Sequence, residues 1–227
     1  MATLCSAIIS KAHTLLQDNN VRWPDTELLD WINEAFKAIT LVRPDATMKT
    51  GAFKLTTGTS KQKLNTSGSL ITDAIRLRSV VRNLGVLTTD TGRAIRPEPQ
   101  RVLDDQIPTW HSQVDNTNGV QFYVHDPLNP LVFYVYPHTS VAAWHVEVVY
   151  TAEPVTVTSS SDAISVDEAY VPAVLDYVCY RAYSKDAEYT ANAALAQSYY
   201  QLFMGNLQVG GQSAAASTVV DSGKVTV

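Results

Sequence analysis

The spacing of hydrophobic residues changes along this chain, and that change constrains the fold more than any other feature. From Val21 to Ile39, in VRWPDTELLDWINEAFKAI, apolar residues recur every three or four positions, which is typical of an amphipathic helix. From about Gly51 the apolar residues alternate with polar ones, as they do in half-buried strands. Helical spacing returns after residue 157. The sequence therefore predicts helices at both ends and a β-rich segment between them.

Two helices are predicted at the N-terminal end. In the second, Pro24 suits the first turn, where its missing N–H needs no partner. Asp25 and Glu27 place negative charge near the positive end of the helix dipole, and the helix should end before Pro44. The short link between the helices predicts an antiparallel hairpin. The apolar face of the first helix consists of Leu4, Ile8, Ile9, Leu15 and Leu16.

Two more helices are predicted at the C-terminal end, the first of them preceded by a short turn. One side of the third helix carries Tyr170, Ala173, Val174, Tyr177, Val178 and Arg181. The packed side of the fourth is predicted to contain Ala194, Leu195, Tyr199, Leu202 and Phe203. Residues 209–227, VGGQSAAASTVVDSGKVTV, are small and polar with no helical stripe, which predicts a flexible tail.

The middle segment is predicted to form antiparallel strands. VQFYVHD, LVFYVYP and WHVEVVY alternate, and DPLNP between the first two is a hairpin turn. In the first of these strands, Val120, Phe122 and Val124 are expected on the apolar face, opposite Gln121, Tyr123 and His125. In RLRSVVR, the even-numbered Arg76, Arg78 and Arg82 are expected to share one face.

These elements predict an α+β protein that is mainly α. Residues 1–50 and 158–208 each supply a helix pair to a four-helix bundle. Residues 51–157 form a β-rich insertion, and residues 209–227 form a flexible C-terminal arm.

Composition excludes several classes of function. With 22 acids against 17 bases, the net charge is −5, which argues against a protein that holds DNA by neutralising phosphates. No run approaches about 18 consecutive apolar residues, so no membrane span is predicted. The N-terminus lacks the basic start of a signal peptide, which favours the cytoplasm. Cys5 and Cys179 are expected to be buried thiols, with a disulfide between the first and third helices left open.

Few residues point to catalysis. The phosphate-binding pattern G-x-x-x-x-G-K-[ST], the G-x-S-x-G elbow and H-E-x-x-H do not occur. His145 and Glu147 lie two residues apart in a strand pattern, where they form either a metal or acid–base pair or, as we favour, a solvated strand face. We expect no enzyme activity and no catalytic, metal or cofactor site.

Tyrosine is concentrated in the strands and in the C-terminal helices. Tyr177, Tyr180 and Tyr183 follow the third helix at three-residue spacing. Tyrosine suits interfaces that are wet on one side, and it also suits ordinary helix packing. Both interpretations stay open for these three residues.

Two segments carry a family resemblance. RWPDTELLDWINEAFKAI early in the chain and YVPAVLDYVCYRAYSKDAEY late in it resemble the head-to-tail adaptor proteins of tailed bacteriophages, also called connector or gateway proteins. The early positions are Trp23, Pro24, Asp25, Leu28, Trp31, Ile32, Asn33 and Glu34. The late positions are Pro172, Leu175, Tyr180, Arg181, Ala182, Tyr183, Asp186 and Ala187. The β segment matches in placement only.

The resemblance implies a structural protein of the virion neck, assembled in the host cytoplasm. It implies a ring of about twelve copies that joins the portal protein to a tail tube or nozzle protein, with genome DNA passing through without specific binding. The C-terminal arm then docks on the portal through Gln212, Ser213, Ser217, Thr218, Val219, Val220, Asp221, Lys224, Val225 and Val227. Contacts between copies are expected at Trp31, Glu34, Arg76, Arg78, Arg82, Tyr180 and Tyr183.

An alternative hypothesis is a tail or baseplate component whose β unit binds a ligand such as a host glycan. It requires an exposed aromatic cluster with nearby amides, which Trp110, Tyr123 and Gln113 would supply. Such a module would be sensitive to Tyr123→Ala or Trp110→Ala and indifferent to loss of the C-terminal arm. An enzyme would instead lose activity with His145→Ala.

Overall fold

The computed structural model describes residues 3–66, 69–88, 92–186, 188 and 190–217, with the backbone alone for 209–217. The described residues form five α-helices and two β-sheets, which confirms the predicted mixed α+β class. The chain divides into two compact units. We call Met1–Thr47 with Pro154–Val227 the helical unit, and Met48–Glu153 the β unit.

The helical unit is organised around one central helix. Its long helices are α1 (Cys5–Leu16), α2 (Asp25–Val42), α4 (Val171–Lys185) and α5 (Thr190–Ser217), whereas α3 (Gln100–Gln106) belongs to the β unit. Short 3-10 turns, Pro44–Thr47 and Glu168–Tyr170, follow α2 and precede α4. Helix α4 packs against α1, α2 and α5, so it holds the other three together.

Helices α2 and α4 bury the faces that their spacing predicts. Leu28, Ile32, Ala35, Phe36 and Ile39 of α2 lie in one hydrophobic cluster with residues of α1, α4 and α5. The same cluster includes four residues of α4: Ala173, Val174, Val178 and Ala182. Burial of these residues is what stabilises the unit, because apolar area removed from water is worth about 25 cal/mol per Å².

Helix α5 differs from the prediction in its end and in its packed side. It continues to Ser217, so part of the predicted flexible tail is helical. Among its side chains up to residue 208, Ala196, Phe203 and Leu207 are buried, whereas Leu195 and Leu202 are exposed. Apolar residues occupy a broad arc around α5, and the prediction assigned Leu195 and Leu202 to its packed side for that reason. Helix α4 covers only one part of this arc, and these two residues lie outside that part.

The β unit contains two sheets. The first has the order β1 (Met48–Lys54), β7 (His145–Ala152), β3 (Ala74–Gly85), all antiparallel. The second has the order β2 (Lys61–Lys63), β6 (Val132–Tyr136), β5 (Phe122–His125), β4 (Arg96–Pro97). The β4–β5 pair is parallel, which corrects the prediction of a purely antiparallel unit. Side chains from both sheets share one core cluster.

Strand β3 does not alternate, and this corrects the predicted face of its arginines. Its register shifts four times against β7, so that three residues of β3 correspond to two of β7. Each shift inserts an extra residue, as in a β-bulge. Arg76 and Arg82 pair with β7 residues on one face, while Arg78 falls at an inserted position. A period of two therefore fails for this strand.

Strand β5 is buried on both of its faces. Tyr123 pairs with Val135 and lies in the cluster shared by the two sheets. Val124 pairs with Tyr134 and packs on the opposite face, against Leu103 of α3 and against Trp110. The predicted assignment of Tyr123 to a polar face was wrong, because α3 and the turn after it cover what would otherwise be the solvent side.

Two further observations concern the whole described chain. Both cysteines are free and buried, so the alternative of a disulfide between them is wrong. Burial raises the pKa of the Cys179 thiol to about 12, which leaves it protonated and unreactive at neutral pH. Among the helices that the structure describes, none has the length and hydropathy needed to cross a membrane.

Candidate assembly surfaces

The three spaced tyrosines of α4 face α5 of the same chain. Their rings form a seam along the contact between the two helices, in edge, tilted and stacked arrangements that favour aromatic pairs. Within one copy, Tyr180 and Tyr183 therefore take part in ordinary helix packing. The pairs are Tyr177–Phe203 at 5.2 Å, Tyr180–Tyr200 at 5.2 Å and Tyr183–Tyr199 at 5.6 Å between ring centroids.

A carboxylate interrupts this apolar seam. Asp176 of α4 accepts a hydrogen bond from the Asn206 side-chain amide of α5 at 2.7 Å. Burial raises the pKa of Asp176, and the Asn206 bond only partly opposes this rise. A half-buried carboxylate whose charged form is disfavoured weakens the α4–α5 contact at neutral pH. No sequence motif marks this residue.

Ion pairs connect the start of α2 with the end of α4. They involve residues of both helices, the link that precedes α2 and Asp186, which follows α4. Lys185 donates to both carboxylate oxygens of Glu27 at 2.7 Å, and Arg22 pairs with Asp186. His13 of α1 lies 2.7 Å from a carboxylate oxygen of Asp25. Since one partner of each pair is about half exposed to water, each pair contributes little by itself and more as a network.

A second polar cluster lies where the chain leaves α2. Arg43 donates to both carboxylate oxygens of Asp45 at 2.9 and 2.7 Å, and the Tyr170 hydroxyl donates to the same carboxylate at 3.0 Å. Arg43 also reaches the Leu207 carbonyl of α5 at 3.4 Å. The Arg43 bond holds the pKa of Asp45 below its ordinary value. This cluster therefore ties α5 to the end of α2.

The Asn33 side chain holds the segment that returns to the helical unit. Its amide donates to the Val157 carbonyl at 2.9 Å, and its oxygen accepts from the Val157 N–H at 2.9 Å. Both backbone groups of one residue are satisfied by one side chain, which fixes the path of this connection. The resemblance included Asn33 among its matching positions but gave no role for it.

Most residues expected between copies already have partners inside one chain. Trp31 is 6% exposed and packs in the core of the helical unit, so little of its ring is left for a neighbour, and its contact with another copy stays a prediction. Glu34 pairs with Arg181 at 3.1 Å, and Arg82 pairs with Glu147 at 2.8 Å. Arg76 and Arg78 are exposed, and neither forms an ion pair with another described residue.

The residues of the ligand-binding alternative do not form an exposed platform. Trp110 is completely buried, and its ring N–H donates to Asp104 at 2.8 Å. Tyr123 is buried in a different cluster, and only Gln113 of the three is exposed. The expected aromatic surface at these positions is therefore wrong.

The His145–Glu147 pair does not form a site either. His145 is buried, whereas the carboxylate of Glu147 is engaged by Arg82. Within the part of the chain that the structure describes, no three His, Cys, Asp or Glu side chains are grouped so as to hold a metal ion.

The C-terminal arm is described only in its first part. Gln212, Ser213 and Ser217 lie within helix α5. The other residues expected to dock on the portal lie outside the described residues: Thr218, Val219, Val220, Asp221, Lys224, Val225 and Val227.

Comparison with known proteins defines the class to which this arrangement belongs. Residues 3–222 match the family described as SU10 adaptor protein, which covers both helical ends, the β unit and most of the arm. The chain therefore belongs to this family and is a phage head–tail adaptor protein, a structural component of the virion. No curated protein matches it.

One prediction arises from Asp176. Replacing Asp176 with asparagine should raise the thermal midpoint of unfolding at neutral pH, because the amide removes a desolvated charge and still accepts the Asn206 bond. The pKa of Asp176 is higher in the folded state than in the unfolded state. The wild type therefore loses stability as the pH rises from the ordinary aspartate pKa of about 4 through the raised pKa. The difference should vanish in acid, where both side chains are neutral.

Asp45 provides the matched control with the opposite sign. Its pKa is lowered by Arg43, so its contribution is present at neutral pH and is lost as pH falls through the lowered pKa. Asp45→Asn should lower the midpoint at neutral pH and converge with the wild type in acid. A shift in the same direction for both variants would contradict the assignment of these two environments.

Proposed function

We propose that this chain forms an adaptor ring between the portal vertex of the phage head and the tail. The match to the adaptor family over residues 3–222 is the observation that carries this proposal. In it, about twelve copies form a ring through head-to-tail contacts, which close when the rotation between copies closes. The helical unit, with its four long helices as a bundle, forms the wall, and genome DNA passes through the lumen.

The distribution of charge supports a channel through which DNA slides. The helical unit contains thirteen acids and seven bases, whereas the β unit contains nine acids and ten bases. The acidic excess of the chain therefore belongs to the helical unit. A wall with few cations releases few counterions when DNA approaches, so DNA gains little by binding to it.

The arm is proposed to dock on the portal protein. Leu207 is the last residue of α5 with a described buried side chain, and Arg43 contacts its carbonyl. The residues beyond it are small, polar and β-branched, a composition that orders on a partner more readily than alone. The opposite side of the ring receives the tail tube or nozzle protein.

Arg76 and Arg78 remain candidates for contacts between copies. Both are exposed on β3, and they differ from Arg82, which already forms an ion pair with Glu147. An acid on a neighbouring helical unit would supply a partner of the right charge for either guanidinium.

The experiment uses three chains: residues 1–227, 1–217 and 1–209. Each is mixed with portal complexes from the same phage and imaged by negative stain. The full chain should form rings on the portal. The 1–217 chain should lose attachment if docking rests on the last ten residues, and 1–209 should lose it if the helical part of the arm is needed as well.

All three chains should unfold at similar urea concentrations, because both truncations keep Leu207 and the core. The 1–209 chain should lose only the helical circular dichroism signal of residues 210–217. Full-length protein that never binds the portal would overturn the proposed function. Attachment that survives in the 1–209 chain would keep the adaptor role and remove the arm from the docking site.

A further inference from the structure

Helix α5 is unusual because none of its residues is charged. Over 28 residues, Thr190–Ser217, it contains no Asp, Glu, Lys, Arg or His. Charged residues make up 17% of this chain. A segment of this length with ordinary composition carries about five or more charged residues. The surface of a helix that faces water normally carries such residues, so the composition of α5 requires an explanation.

Contacts inside one chain do not explain it. Helix α5 buries Ala196, Phe203 and Leu207 and also contacts α4 through Tyr199, Tyr200 and Asn206, which leaves the rest of its described side chains without a partner helix. Leu195 and Leu202 lie two turns apart on the flank of the buried face and are 42% and 52% exposed. Depletion of charge, with aromatic and methionine residues nearby, is the composition of the central part of a protein–protein interface.

The net charge of the helical unit indicates which surfaces two copies can bring into contact. Thirteen acids against seven bases give each unit a net charge of −6, so two copies repel each other wherever acidic surfaces meet. The helical units of two copies meet each other without this penalty through surfaces that lack acids. Helix α5 is one such surface.

Helix α1 supplies a second surface of this kind. It contains no acidic residue. Leu4, which precedes the helix, and Leu15 are 43% and 46% exposed, so the prediction that placed both on the packed apolar face of this helix is wrong. They lie together on another side, with Lys11 between them. The acids of α2, by contrast, include the exposed Asp30 and Glu34.

We propose that the Leu195–Leu202 face of α5 packs against the Leu4–Leu15 face of α1 in a second copy of this chain. The two faces differ, so the contact is heterologous and repeats from copy to copy. This inference deepens the proposed adaptor function by assigning the surfaces that join neighbours in the ring, and it rests on that function.

The direct test is disulfide crosslinking between copies. A chain with Leu15→Cys and Leu202→Cys is oxidised mildly on the portal and also free at high concentration. The native thiols do not interfere, since both are buried. The double variant should give a ladder of linked species beyond the dimer, while each single variant stays monomeric. A dimer formed efficiently by Leu202→Cys alone, or rings without a ladder, would overturn the inference.

A charge insertion gives the second readout. Leu195→Glu with Leu202→Glu should raise the concentration needed for half-maximal ring assembly by about tenfold or more, because two acids would be desolvated at the contact. Helicity should be unchanged, since both positions are exposed. Leu41→Glu is the matched control, because Leu41 is 84% exposed on α2 and lies outside the proposed contact.

These experiments separate failure of the inference from failure of the function. Rings that form equally well with the charged variant contradict the inference and leave the adaptor function intact. If the wild type does not bind the portal, the adaptor function is wrong. The ladder in the free protein then decides the inference, and its absence contradicts the contact.

Discussion

Replacing Phe36 with alanine is expected to lower the free energy of unfolding of the helical unit by about 3–5 kcal/mol. Phe36 is fully buried in the cluster that joins all four long helices, so removal of its ring leaves a cavity in that cluster. Since a domain is stable by about 5–15 kcal/mol in total, this loss removes a large share. Urea denaturation followed by circular dichroism measures it.

Leu41→Ala on the same helix is the control for Phe36→Ala. Leu41 is largely exposed, so its truncation should change the free energy of unfolding by less than about 0.5 kcal/mol. Helix propensity is nearly the same for both replacements, so a difference between them reports packing. Equal losses in the two variants would show that Phe36 is not a central packing residue.

Replacing Trp110 with alanine is expected to destabilise the β unit by about 3–5 kcal/mol. The indole is completely buried between α3 and strands β5 and β6, where it also stacks on His111 with ring centroids 3.7 Å apart. Its truncation leaves a cavity and removes the donor to Asp104. The measurement is the urea midpoint followed by near-ultraviolet signal and tryptophan fluorescence.

Gln113→Ala provides the comparison for Trp110→Ala. Gln113 is exposed three residues later, so its truncation should leave the stability of the β unit within about 0.5 kcal/mol of the wild type. Both residues belonged to the ligand-binding alternative. If Trp110→Ala left the fold intact and removed binding to a glycan, the packing role assigned to Trp110 would be wrong.

Much of the helical unit follows from spacing alone. The apolar positions of α2 and α4 are buried as the three- and four-residue repeats predict, because each helix has one dominant apolar stripe. Helix α5 has a broad apolar arc instead. Spacing shows the arc, and only the packing of α4 decides which part of it is covered, so Leu195 and Leu202 were placed on the wrong side.

The β unit departs from its pattern for two different reasons. In β5, a helix and a turn from elsewhere in the sequence cover the outer face, so Tyr123 and Val124 are both buried. In β3, inserted residues change the repeat from two to three, so Arg78 does not share the face of Arg76 and Arg82. Neither cause leaves a local signal, because both depend on segments that are distant in sequence.

The residues expected to join copies stay predictions, and the structure shows only their environment within one chain. Trp31 has the appearance of an interface residue in the sequence, since tryptophan on a helix rich in acids suits a contact with a neighbour. Its environment in one chain is nevertheless the core. The residues that connect distant segments, Asn33, Arg43 and Asp176, act through backbone groups or desolvation, which a residue pattern does not record.

The place of β3 at the edge of its sheet has a consequence for how these molecules behave when many are crowded together. An edge strand with regular spacing is a template on which the backbone of another molecule can add, and sheets grow into fibres in this way. The side of β3 that faces away from β7 already has partners inside the chain, because the Asn83 N–H donates to the Arg93 carbonyl at 3.0 Å and the Ile95 N–H donates to the Val81 carbonyl at 2.9 Å. This edge therefore resists sideways growth, and crowded copies remain free to meet through their side chains.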